Sequence, residues 1–110
     1  VNRDGLIGIN FVRSFVGNDS PDYFSRHLEH LLALGAGKNV CFGADFFCVD
    51  DLPLEIRKSL DATFFPGYNH AGTYGSVLEL WKKGLGLSEE SMEAICNGNF
   101  LRFFGKIFQN

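Results

Sequence analysis

Proline and cysteine are scarce in this chain, with three of each in 110 residues. So little proline excludes an extended proline-rich linker, and thirteen glycines without a fixed period exclude a collagen-like chain. Cys41, Cys48 and Cys96 are an odd set without CxxC spacing. That pattern argues against a disulfide framework or a zinc cluster, and for reduced, packed thiols in a reducing compartment. Apolar runs are short, none nearing the roughly 18 residues of a membrane span. The charged start Val1-Asn2-Arg3-Asp4 is not a secretory signal. A soluble, cytoplasmic chain without a membrane span is therefore expected. Ten Lys and Arg against thirteen Asp and Glu give a net charge of -3, and the cations are scattered, so no nucleic-acid partner is expected. What the chain does have is aromatic residues: twelve Phe, three Tyr and one Trp. That is more apolar ring surface than a small independent core needs, so some of it is expected to face a larger body.

The order of elements reads strand, helix, strand, then helices. Gly5 to Val12 is a short apolar stretch with β-branched residues, patterned as a parallel strand buried on both faces. Asn18, Asp19 and Ser20 supply capping oxygens before Pro21, and the stripe Phe24, Leu28, Leu31 and Leu32 predicts a helix that Gly35 and Gly37 stop. A second buried strand spans Asn39 to Ala44 and runs into Asp45, the first ionisable side chain after it. Residues 49–70 read as a long functional loop with a helical turn near 53–60. A helix is predicted from Tyr74 to Lys83, with Val77, Leu78 and Trp81 on its apolar face and Gly84 as its stop. Ser88 caps another, which buries Met92, Ile95 and Cys96 and breaks at Asn97-Gly98. Asn99 caps the last helix, whose Phe100, Leu101, Phe103, Phe104, Ile107 and Phe108 call for cover on more than one side and are expected to pack on the body of the fold.

Two parallel strands joined by a helix form a βαβ unit, the repeat of doubly wound sheets and of (β/α)8 barrels. A two-stranded parallel sheet leaves each strand an unpaired edge, and each buried orphan group costs on the order of 1–3 kcal/mol. Further strands are expected from elsewhere. A full barrel needs roughly 200 residues or more, so 110 residues suit only its closing part.

Four segments carry a resemblance. Gly8-Ile9-Asn10-Phe11, His27-Leu28-Glu29-His30, Gly43-Ala44-Asp45-Phe46 and Gly98-Asn99-Phe100-Leu101-Arg102 together resemble, in order, the C-terminal part of the renal or membrane dipeptidases, a family of metallopeptidases. The resemblance covers essentially the whole chain. It implies that residues 1–110 are the C-terminal part of a single (β/α)8 TIM-barrel domain of α/β class, in which two zinc ions hold a bridging hydroxide that attacks the peptide bond of a dipeptide substrate. The family's zinc ligands come from earlier strands, so no metal ligand is expected in this chain, and alone it is expected to be inactive. Asp45 matches the family's acid at the end of the eighth strand, which faces the bridging water and the substrate's free amine. It is thus the expected catalytic and substrate-binding residue, suited to moving a proton from water to the leaving amine. The competing reading of Asp45 is a cap on the following turn. Phe15 falls where the family often has a pocket-lining aromatic residue, commonly Tyr, and is the second expected substrate-binding residue.

The chain departs from the family after Asp45, where Phe46-Phe47-Cys48 replaces the usual Phe, Asp, Gly run. Cys48 is read as a packed thiol, since no histidine adjoins it in sequence. His27 and His30 would need a third convergent ligand to hold metal, and packing or hydrogen bonding is the simpler role for them. His70 is read as a solvated loop residue. The implied partners are a dipeptide and the missing N-terminal barrel portion, or a partner chain that supplies strands; homo-oligomer formation is left open. The alternative function is a noncatalytic binding or assembly module from a truncated or split dipeptidase gene.

Overall fold

The computed structural model describes residues 3–17, 20–60 and 63–109. Two strands, β1 (Ile7–Ile9) and β2 (Val40–Phe42), pair in parallel with Ile7 opposite Val40 and Ile9 opposite Phe42. Around them lie α1 (Arg13–Val16), α2 (Asp22–Ala33), α3 (Leu54–Leu60), α4 (Tyr74–Leu85), α5 (Glu89–Glu93) and α6 (Asn99–Phe108). The chain is thus α/β, mostly helical, with one parallel pair of strands. Among the described residues no helix is long and apolar enough to cross a membrane.

The β1–α2–β2 order follows the sequence pattern. Asn18 and Asp19 lie outside the described residues, but the Ser20 hydroxyl accepts a hydrogen bond from the Asp22 N–H at the start of α2. Phe24 and Leu28 are fully buried. The helix ends in a Schellman motif. Gly35 takes a left-handed φ of 74°, its N–H donates to the Leu32 carbonyl, and the Ala36 N–H reaches back to Leu31. The left-handed stop is Gly35 alone; Gly37 is not among the positive-φ residues.

The first strand is shorter and less covered than its pattern predicts. Only Ile9 is buried in β1, while Ile7 and Gly8 are exposed. The physical reason is an open edge. Ile7 donates to the Asn39 carbonyl and Ile9 accepts from the Gly43 N–H, so these two residues face β2. Alternation then turns the amide group of Gly8 to the other side. The strands touch most closely at two glycines. A Cβ on Gly43 would lie 2.8 Å from the Gly8 Cα, and one on Gly8 3.0 Å from the Gly43 Cα.

Aromatic rings fill the space between sheet and helices. The Phe11 ring stacks on Phe24 at 4.6 Å, and Phe42 lies nearly parallel to both Tyr74, at 4.1 Å, and Trp81, at 5.4 Å. The expected long loop contributes to this core. Phe64 and Phe65 are buried, Phe64 bridges to Val12, and α3 forms near the predicted helical turn. Eight of the chain's phenylalanines are therefore buried or half-buried, and four, Phe15, Phe47, Phe100 and Phe108, are exposed.

Four further expectations are corrected. Gly84 does not stop α4, which runs to Leu85 and ends on left-handed Gly86, φ 64°. Asn97-Gly98 does not break the last helices either. Ser88 caps α5 as predicted, accepting from the Ser91 N–H, but a π-helical turn, Ala94–Gly98, then carries α5 into α6. Asn99 caps nothing; it is buried, and its Nδ2 donates to the carbonyls of Gly37 at 2.9 Å and Val40 at 2.8 Å. The inserted π turn shifts the helix phase, so Met92 and Ile95 are buried but Cys96 is exposed.

The glycine contact and the glycine within α4 give opposite expectations. Gly43→Ala should destabilise the fold by about 1–3 kcal/mol, because backbone must move to admit the methyl group. Gly84→Ala, with open space at its Cβ position, should stabilise it by about 0.5–1 kcal/mol through helix propensity. Urea denaturation of both variants checks the pair of signs.

Candidate functional site

The C-terminal ends of the two strands carry the polar residues most suited to chemistry. At the end of β1, the Asn10 side-chain oxygen accepts from the Val12 N–H at 2.7 Å and turns the chain into α1. At the end of β2, buried Ala44 and half-buried Phe46 flank Asp45. Ala44 accepts from the Phe11 N–H at 3.3 Å. The Phe46 ring packs edge-on to Phe11 and Phe64 and stacks on Tyr74. With both neighbours anchored inward, Asp45 is held outward.

Its backbone is unusual. Asp45 has a φ of 63°, one of two positive values among the described non-glycine residues. Its carboxylate is exposed, and no described group donates a hydrogen bond to it or pairs with it. Among the described residues the turn-capping alternative therefore has no hydrogen bond to support it. A residue other than glycine held left-handed at a strand end spends stability on position, as functional residues commonly do.

Phe15 is 67% exposed on α1. It lines a cavity of about 230 Å³ beside the open edge of β1, together with the Ile7 to Asn10 segment, His27 and Leu31. Asp45 does not line that cavity, so the two expected substrate-binding residues are not brought into one pocket by this chain. Asn10 and His27 are the additions. The His27 Nε2 donates to the Val16 carbonyl at 2.9 Å, tying α2 to α1, in keeping with the hydrogen-bonding role read from sequence. Asn10 lies inside the predicted strand Gly5 to Val12; the one signal for it is a polar side chain within an otherwise apolar run. His70 serves its own loop, its Nδ1 accepting from the Gly72 N–H at 3.1 Å.

A larger open depression of about 720 Å³ lies at the other end of the strands, between Lys38, Asn39 and the α5 residues Glu90 and Ser91. It is remote in the fold from Asp45, since Asn39 precedes β2 and Asp45 follows it.

All three cysteines are free. Cys41 is buried, and burial pushes its thiol above the ordinary cysteine range, so it is not an activated nucleophile. Cys48, expected to be packed, is exposed, because the 3-10 turn Val49–Asp51 after it has no buried residue. Among the described residues no three His, Cys, Asp or Glu side chains converge as a metal-holding group.

No family model matches the chain, and no curated protein matches its sequence. The functional reading accordingly rests on the placement of Asp45 and on the sequence resemblance.

The left-handed backbone at Asp45 can be measured. Asp45→Gly should be at least as stable as the parent, gaining up to about 1 kcal/mol, whereas Asp45→Val should lose about 1–2 kcal/mol. Loss of stability in the glycine variant would mean that the carboxylate has a structural partner.

Proposed function

We propose that this chain is the closing βα part of a (β/α)8 barrel of the zinc-dependent dipeptidase type, and that Asp45 is its acid–base residue. The observation that carries the reading is the exposed carboxylate, without a partner among the described residues, at the C-terminal end of a parallel strand, on backbone that glycine would hold more easily. Parallel α/β folds gather their chemistry at that end of the strands. In the reaction, Asp45 takes a proton from the attacking water and returns it to the amine that leaves as the peptide C–N bond breaks. The exposed carboxylate also suits attraction of the dipeptide's ammonium group. On the same reading Phe15, which lines its own groove beside β1 rather than a pocket with Asp45, offers an apolar wall without the hydroxyl donor that a tyrosine would bring. Zinc and its ligands would have to come from strands outside these 110 residues, and the 110-residue chain alone is inactive on this reading.

The second reading, a noncatalytic assembly module, is favoured by one observation: the open edge of β1 and the exposed apolar residues Phe15, Leu101 and Phe108 are surface suited to docking. The two readings separate in a complete protein that includes this chain. Asp45→Asn should lower kcat for dipeptide hydrolysis by about 10²–10⁴-fold, with zinc content by atomic absorption unchanged. An unchanged kcat would remove Asp45 from the reaction.

A further inference from the structure

The depression at the start of the strands has a floor, a fixed wall and polar groups left over. Its floor is apolar, formed by Leu32 of α2 and by Ala94 and Ile95 of the π turn, and Ile95 is buried. Its wall at residues 37–39 is pinned from α6. The Asn99 Nδ2 holds the Gly37 carbonyl at 2.9 Å, and the Arg102 guanidinium holds the Lys38 carbonyl at 2.5 Å. The backbone that carries Lys38 and Asn39 is therefore set before any ligand arrives.

Three polar groups on the lining are unspent. Asn39 is 5% exposed, and its Nδ2 is committed to the Gly5 carbonyl at 2.7 Å. Its Oδ1 accepts a hydrogen bond from no described group, and a carboxamide oxygen on so buried a residue calls for a donor. Asn39 lines the cavity, so a donor bound there would supply it. Lys38 and Glu90 line the same cavity with exposed charges, and among the described residues neither forms an ion pair. The third charge on the lining, Asp4, is already engaged. Lys106 and Arg102 hydrogen-bond its carboxylate and hold its pKa below the ordinary range.

We propose that this cavity is a binding site for a free amino acid with an apolar side chain, separate from the Asp45 end of the strands. The ligand's ammonium group donates to the Asn39 Oδ1 and faces the Glu90 carboxylate, its carboxylate faces the Lys38 ammonium, and its side chain lies on Leu32, Ala94 and Ile95. The balance of charge selects this class. A zwitterion satisfies one acid, one base and one neutral acceptor together, whereas a simple anion leaves Glu90 and Asn39 unanswered and a simple cation leaves Lys38 so. The floor adds what the charges lack, since apolar surface rewards a hydrocarbon side chain and gives glycine nothing. The volume, about 720 Å³, falls within the roughly 300–1,000 Å³ of small-molecule sites and leaves room for bridging water. Asn39 stands before β2 and Asp45 after it, so occupation of this site leaves the candidate acid free. The inference does not depend on the hydrolytic reading.

Titration of the 110-residue chain with L-leucine, followed by amide NMR shifts, tests it. Saturable shifts should appear at residues 37–39 and 90–95, with a dissociation constant of about 0.1–1 mM, because exposed charges each contribute little. Glycine, which lacks the side chain, isocaproate, which lacks the ammonium group, and isoamylamine, which lacks the carboxylate, should each bind at least tenfold more weakly. Lys38→Gln and Glu90→Gln, both at exposed positions, should each weaken leucine binding at least fivefold with helix content by circular dichroism retained. Lys83→Gln, exposed on α4 away from the cavity, should leave it unchanged. Absence of saturable shifts at these amides up to tens of millimolar leucine would overturn the proposal. So would equal binding of leucine, isocaproate and isoamylamine, which marks a merely apolar hollow, or leucine binding indifferent to both the Lys38 and Glu90 substitutions.

Discussion

Two hydrogen bonds from the Asn99 carboxamide, to Gly37 and Val40, are the contacts on which the arrangement of this chain turns. The carbonyl of Val40 points to the outer edge of β2, because its neighbours Asn39 and Cys41 face β1 through the parallel ladder. Asn99 therefore supplies a donor to one carbonyl at the start of that edge. Asn39 does the same at the sheet's start, its Nδ2 donating to the Gly5 carbonyl at 2.7 Å. Both side chains are buried, where an unpaired amide would cost on the order of 1–3 kcal/mol. The edge of β1, by contrast, has no such partner at Gly8 among the described residues, and the groove lined by Phe15 and His27 lies beside it.

Fixing Asn99 also fixes the rotation of α6. With Asn99 pointing into the sheet, Arg102 and Lys106 fall on the same side and meet Asp4, and Leu101 and Phe108 face outward. One buried amide thus connects strand pairing to the surface that the chain offers to others. The opposite end of the strands is organised differently. There the aromatic cluster of Phe11, Phe46, Phe64 and Tyr74 anchors the backbone on both sides of Asp45 and presents its carboxylate outward. Structural polar groups are gathered where the strands begin, and the exposed Asp45 stands where they end.

Much of this was legible in the residues. The strand–helix–strand order, the parallel pairing, the Gly35 stop and the Ser88 cap all follow from local chemistry, and each is where the pattern puts it. The misreadings have a common cause, in that distant partners outweigh local propensity. Asn97-Gly98 has the composition of a turn, yet Asn99 bonds to carbonyls 59 and 62 residues away, and the helix continues through a π turn. Phe64 and Phe65 sit among loop-forming residues, yet the bridge from Phe64 to Val12 brings them into the core. At the candidate site, the strand end located Asp45, but its left-handed backbone has no local sequence signal, and neither does the separation of Phe15 from it.

The central claim is that the parallel pair belongs to a wider sheet, completed along the β1 edge. Amide hydrogen exchange at Gly8 addresses this most directly, compared between the 110-residue chain and a longer protein that contains it. In the 110-residue chain the Gly8 amide should exchange fast while Ile9, bonded to β2, is protected. In the longer protein Gly8 should become as protected as Ile9. Equally fast exchange at Gly8 in both would contradict a completed sheet, and with it the barrel.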